Sequence, residues 1–162
     1  MRTSDVDILI VPGWSSSGPD HWQSRWERNL PTARRVEQDD WLRPDRDRWV
    51  GRLIEEAARS VRPPVLVAHS PGWPVTAGET FDSGNAGFAP LPMIRLPFPS
   101  ALVSSSDDPY CHKERAVALA LAWGARLIDA GAAGHINVAS GHGPWPEGVL
   151  RFGSFLKGLN AI

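Results

Sequence analysis

Ser70 lies in the run Ala68-His69-Ser70-Pro71-Gly72, directly after the apolar stretch Val65-Leu66-Val67. A serine hydroxyl attacks a carbonyl only when a base takes its proton and a third group orients that base. Ser-x-Gly after a strand is the second half of a nucleophile elbow, the tight strand-to-helix turn that lifts a hydroxyl off the sheet edge. Small neighbours are needed because that turn is strained. Ala68 occupies the place of the pattern's first glycine. In a sheet architecture the partners follow in the order acid, then histidine, each in a loop beyond a strand. Asp107 and Asp108 follow the run ALVSS (101–105), and His135 closes the loop Gly131-Ala132-Ala133-Gly134-His135 after ARLID (125–129). The chemistry implied is acyl transfer through a serine ester. Either aspartate fits the acid's place at this stage, and Asp108 could instead cap a helix beginning near Cys111.

These groups must be carried by a regular scaffold, and the apolar spacing supplies one. Short β-branched runs predict strands over 6–11, 65–68, 101–105 and 125–129, with a weaker one over 34–38. Helical spacing predicts helices over 20–30, 45–61, 113–123 and 147–159, with Asp45 as an N-cap and Gly124 as a stop. Strands alternating with helices predict an α/β fold: a three-layer sandwich whose mostly parallel sheet is covered on both faces. A length of 162 residues fits one domain spanning 1–162.

Composition narrows the function further. Seventeen Lys and Arg against eighteen Asp and Glu leave no basic excess, which argues against a nucleic-acid binder and against a polybasic membrane anchor. No apolar run approaches the length of a membrane span. The single cysteine, Cys111, cannot form an internal disulfide, so a soluble protein of the reducing cytoplasm is expected, with an inert thiol. His21, His112 and His142 lack the paired spacing of a metal site, and neither metal nor cofactor is expected. His69 is read as a packed strand-end residue, and Trp22, Trp26 and Trp49 as core. Trp14 and Trp145, in loops near the proposed site, are candidates to line a pocket.

The chain resembles the α/β-hydrolase-fold serine hydrolases related to retinoblastoma-binding protein 9. The likeness rests on Val11-Pro12-Gly13-Trp14, Gly18-Pro19-Asp20-His21-Trp22, Gln38-Asp39-Asp40-Trp41, Val67-Ala68-His69-Ser70, Ser106-Asp107-Asp108-Pro109-Tyr110, and Gly134-His135-Ile136-Asn137 through Gly143-Pro144-Trp145-Pro146. The resemblance implies Ser70 as nucleophile, Asp108 as orienting acid, His135 as general base, and the Gly13-Trp14 loop as donor of an oxyanion-hole N–H. It also implies a small ester or amide as substrate. Two features depart from the family pattern. The residue after the nucleophile normally donates its N–H to the oxyanion, and here it is Pro71, which has none. Relatives also place a helix, a strand and a loop after the elbow, where this chain has only the 17 residues 71–87, so one strand-helix crossover is expected to be lacking. The strand over 101–105 would then pair directly with that over 65–68, or the gap would persist. Both departures predict impaired turnover, and a catalytically silent relative acting as a binding or interaction protein is the alternative.

Overall fold

The computed structural model describes residues 1–70 and 91–159. They form two compact units, one of residues 1–70 with 143–159 and one of residues 91–142.

The first unit is built on β1 (Asp7–Val11), flanked by β2 (Ala33–Arg35) and β3 (Pro64–Ala68) in the order β2-β1-β3, all parallel. As the central strand, β1 has covered faces and a nearly continuous apolar sequence: Ile8, Leu9 and Ile10, like Val6 just before the strand, have no exposure. The β3 strand departs from the buried strand expected there. Its residues alternate between exposed and half-buried, with Leu66 exposed, because among the described residues its only ladder partner is β1.

Helix α1 (Trp22–Asn29) starts two residues later than expected, because extended His21 is the N-cap and its Nδ1 accepts the Gln23 N–H. Trp22 and Trp26 are buried as predicted, and so is Trp49 of α2 (Arg46–Ala58). Asp45 caps α2 by accepting the Arg48 N–H. That helix ends at Ala58 rather than Val61 because the Val61 and Arg62 N–H groups turn to the buried Asp7 carboxylate, at 2.9 and 3.2 Å. Val61 consequently lies beyond the helix and faces solvent, and Ile54, within α2, is exposed as well. The closing helix α4 (Pro146–Leu159) buries Phe152 and Leu156.

The second unit pairs β4 (Ala101–Ser104) in parallel with β5 (Arg126–Asp129), joined through α3 (Lys113–Trp123). Gly124 ends α3 with φ +66°, the left-handed conformation that glycine adopts without penalty. Against the expected pairing of β4 with β3, the ladder partner each has among the described residues is β1 for β3 and β5 for β4. The segment 71–87 that prompted that expectation lies outside the described residues. Among the described residues no helix is long and apolar enough to cross a membrane.

Candidate active site

Ser70 stands two residues beyond the end of β3, and its φ is +41°. A non-glycine residue in the left-handed region is uncommon, and a serine held there after a strand is the backbone signature of an elbow. The ladder reaches up to it. Val11 faces Ala68 in register, and the His69 N–H donates to the Val11 carbonyl at 3.2 Å. The two neighbouring strands therefore deliver Ser70 and the Pro12-Gly13-Trp14 loop from the same edge, about one strand spacing (~4.8 Å) apart. Pro71 itself lies outside the described residues.

The loop after β1 is held by a dense polar network. Ser15 and Ser16 both have left-handed backbones, with φ +61° and +63°. Arg35 on β2 donates to Ser16 Oγ, the Ser17 carbonyl and Ser24 Oγ, and pairs with Glu27 at 2.9 Å. The Ser15 N–H donates to the Trp41 carbonyl and the Trp14 indole to that of Leu42. Gly13 is buried and Trp14 is 47 % exposed. Trp145, in contrast, is 8 % exposed. Its ring stands 5.0 Å from Trp22 and 6.3 Å from Trp26, and rests on Gly148, where a Cβ would have no room. His69 packs beside His21 and Trp22, at 4.8 and 5.7 Å between rings, as a strand-end residue should.

The second unit brings Asp108 and His135 together. Both Asp108 carboxylate oxygens lie 3.0 Å from His135 Nδ1. Each side chain is more than four-fifths buried. An ionised carboxylate only accepts, so Nδ1 carries the proton and Nε2 is left as the basic nitrogen. The Tyr110 N–H holds Asp108 Oδ1 at 2.9 Å, and the Tyr110 ring stands edge-on to the imidazole at 4.6 Å. The reading of Asp108 as a helix cap is thereby corrected, since the N-cap of α3 is His112.

Asp107 does different work. Its Oδ1 accepts the Ser105 hydroxyl at 2.6 Å and the Gly134 N–H at 2.7 Å, while Ser105 Oγ accepts the Ala133 N–H at 2.9 Å. The two side chains grip the backbone immediately before His135. Ser105 foremost, with Gly134, holds the Asp107 carboxyl below its ordinary value of 3.8. The stability this clamp contributes is present above pH 3.8 and is lost as pH falls through the lowered folded-state value. Gly134 has φ +55°, and a Cβ there would come within 2.6 Å of the Ser140 side chain, so glycine is required. Asp107→Ala should lower turnover roughly tenfold by loosening the His135 loop, whereas Asp107→Asn, which keeps an acceptor oxygen, should stay within about threefold. Steady-state kinetics on the two variants checks this.

Burial, with the Asp108 charge adding to it, pushes the Cys111 thiol up, so it stays protonated near neutrality. Among the described residues no group of three or more His, Cys, Asp or Glu could hold a metal ion. Residue patterns did not single out Gln23, Arg35 or Ser105. The available signal was polarity where an apolar residue belongs: Gln23 lies between Trp22 and Trp26 on the buried side of α1.

The sequence pattern of the serine hydrolase family matches the chain over residues 8–84 and 74–154. No curated protein matches it. Among solved structures, a Pectobacterium atrosepticum protein assigned as a YdeN-like hydrolase is 32% identical, with 94% of this chain and 91% of that chain covered at a TM-score of 0.80. The ydeN gene product of B. subtilis is 18% identical, with coverages of 93% and 98% and a TM-score of 0.69, a likeness of fold.

Proposed function

The chain belongs to the serine hydrolase family, and from that premise we propose that it hydrolyses small esters or amides through an acyl-serine intermediate on Ser70. The observation that carries this reading is the two-oxygen hold of Asp108 on His135 Nδ1. A buried carboxylate fixing one imidazole nitrogen leaves the other as a general base of defined tautomer.

In the first half-reaction His135 Nε2 takes the Ser70 hydroxyl proton as Oγ bonds to the substrate carbonyl carbon. The resulting oxyanion accepts an N–H of the Gly13-Trp14 loop. As the tetrahedral species collapses, the bond to the leaving alcohol or amine breaks and His135 returns the proton to it. Water then attacks the acyl-serine by the same proton route and releases the acid. Asp108 stabilises the imidazolium in both steps and stays ionised. The motifs Ser106–Tyr110 and Gly134–Asn137 favour the branch related to retinoblastoma-binding protein 9, and the single cysteine fits a cytoplasmic setting. Neither metal nor cofactor enters the scheme.

A fluorophosphonate probe tests the reading directly. The expected result is one covalent adduct per folded chain, located on Ser70 by peptide mass spectrometry. Folded protein that stays unlabelled would reject the hydrolase reading in favour of a silent relative retained as a binding protein.

A further inference from the structure

Gln23 is a fully buried carboxamide on α1 whose three hydrogen bonds all end on the machinery around Ser70. Its Nε2 donates to the Val67 carbonyl at 3.0 Å and to the Val11 carbonyl at 3.2 Å, at the ends of β3 and β1. Its Oε1 accepts the Ser17 hydroxyl at 2.7 Å, from the loop that follows β1. Ser17 is itself buried, and its carbonyl is held by Arg35 and by Ser24. The backbone of Gln23 is fixed as well, through the cap on His21.

A buried amide is costly unless its hydrogen-bonding capacity is used. Trp22 and Trp26 already anchor α1 in the core, so helix packing alone calls for an apolar residue at position 23. The carboxamide does what an apolar side chain could not. It ties the strand that ends two residues before Ser70 to the strand that ends two residues before Gly13, and ties both to Ser17.

We infer that Gln23 is a positioning residue that sets the separation between the Ser70 hydroxyl and the oxyanion donor of the Gly13-Trp14 loop. The inference rests on the hydrolase reading given above. With proline at position 71 the loop donor carries the oxyanion without help from the residue after the nucleophile, so an error in its placement falls directly on the transition state. Displacements near 1 Å cost on the order of a hundredfold in well-organised sites. A side chain bridging two strands and a loop guards against displacements of that size.

The test uses the whole protein and Gln23→Met, which keeps the volume and removes the amide. With p-nitrophenyl acetate, kcat should fall about tenfold to thirtyfold while KM stays within about twofold. The fluorophosphonate labelling rate should fall in parallel, with the midpoint of its pH profile unmoved because the Asp108–His135 pair is untouched. A Gln23→Met protein that melts earlier but keeps parental kcat well below its melting point would overturn the inference, since the side chain would then serve only the fold. A shifted pH midpoint would overturn it too. If Gln23→Met does not fold, Ser17→Ala, which leaves both carbonyl bonds in place, should lower kcat about threefold, and unchanged kcat there is the overturning result. Wild-type protein that is folded and unlabelled would overturn both this inference and the hydrolase reading. Labelled wild type with an equally reactive Gln23→Met overturns this inference alone.

Discussion

Asp108→Asn should lower kcat by about 10⁴-fold, close to the loss seen when the orienting carboxylate of a catalytic triad is made an amide. The local hydrogen bonds give the reason. Oδ1 accepts the Tyr110 N–H at 2.9 Å, so an asparagine keeps its carbonyl oxygen on that side. Its NH₂ then takes the place of Oδ2, 3.0 Å from His135 Nδ1. An amide there sets a donor against the Nδ1 proton and removes the charge that stabilises the imidazolium, so Ser70 loses an effective base even with Oδ1 still 3.0 Å from Nδ1. Shape and burial barely change, so the melting temperature should stay near that of the parent while turnover collapses. Hydrolysis of p-nitrophenyl acetate together with a thermal melt separates the two effects. A loss under tenfold would mean that Asp108 does not orient the base. Asp107→Asn, the neighbouring change with an expected effect within about threefold, is the internal control, because Asp107 grips backbone rather than imidazole.

The contrast between those two aspartates shows where residue patterns reach and where they stop. Ser70, the Asp107-Asp108 pair and His135 stand out because each follows an apolar β-branched run, and such runs specify strands almost independently of context. Family motifs then favour Asp108, and in the structure one carboxylate lies against the imidazole while the other holds the peptide before it. The difference depends on how two adjacent side chains diverge from one turn, and spacing carries no information about that. Helix ends were legible where a cap has a chemical signature, as at Asp45 and Gly124. They were missed where a distant group intervenes, as when Asp7 draws Val61 and Arg62 out of α2. The exposure of β3 was not legible either. PVLVA reads as interior by composition, yet a strand is buried by its neighbours, and β1 is the partner it has among the described residues. Trp145 was visible as a loop residue before a helix. That its ring turns into the Trp22–Trp26 cluster follows from Gly148 and from its own φ of +26°, and neither can be read in advance.

Pro71→Gly should raise turnover about a hundredfold to a thousandfold, the inverse of what deleting one oxyanion donor costs. Proline has no N–H to offer the developing charge. It also disfavours some backbone conformations of the residue before it, which here is the serine already held at φ +41°. Replacement therefore adds a donor and lifts a restriction at once, and a second variant separates both from the backbone freedom that glycine itself brings. Pro71→Leu adds the donor and lifts the restriction on Ser70 without the extra freedom of glycine at position 71. If the N–H is what matters, leucine and glycine should raise kcat alike. If glycine alone helps, backbone freedom was the deficit and the donor argument fails. Stability moves the other way, since losing proline widens the unfolded ensemble at a cost of about 0.4–1 kcal/mol. Both variants should accordingly melt slightly below the parent while working faster. Folded variants with no gain in either form would mean that position 71 does not face the oxyanion, leaving the Gly13-Trp14 loop and whatever Gln23 holds in register as the source of its stabilisation.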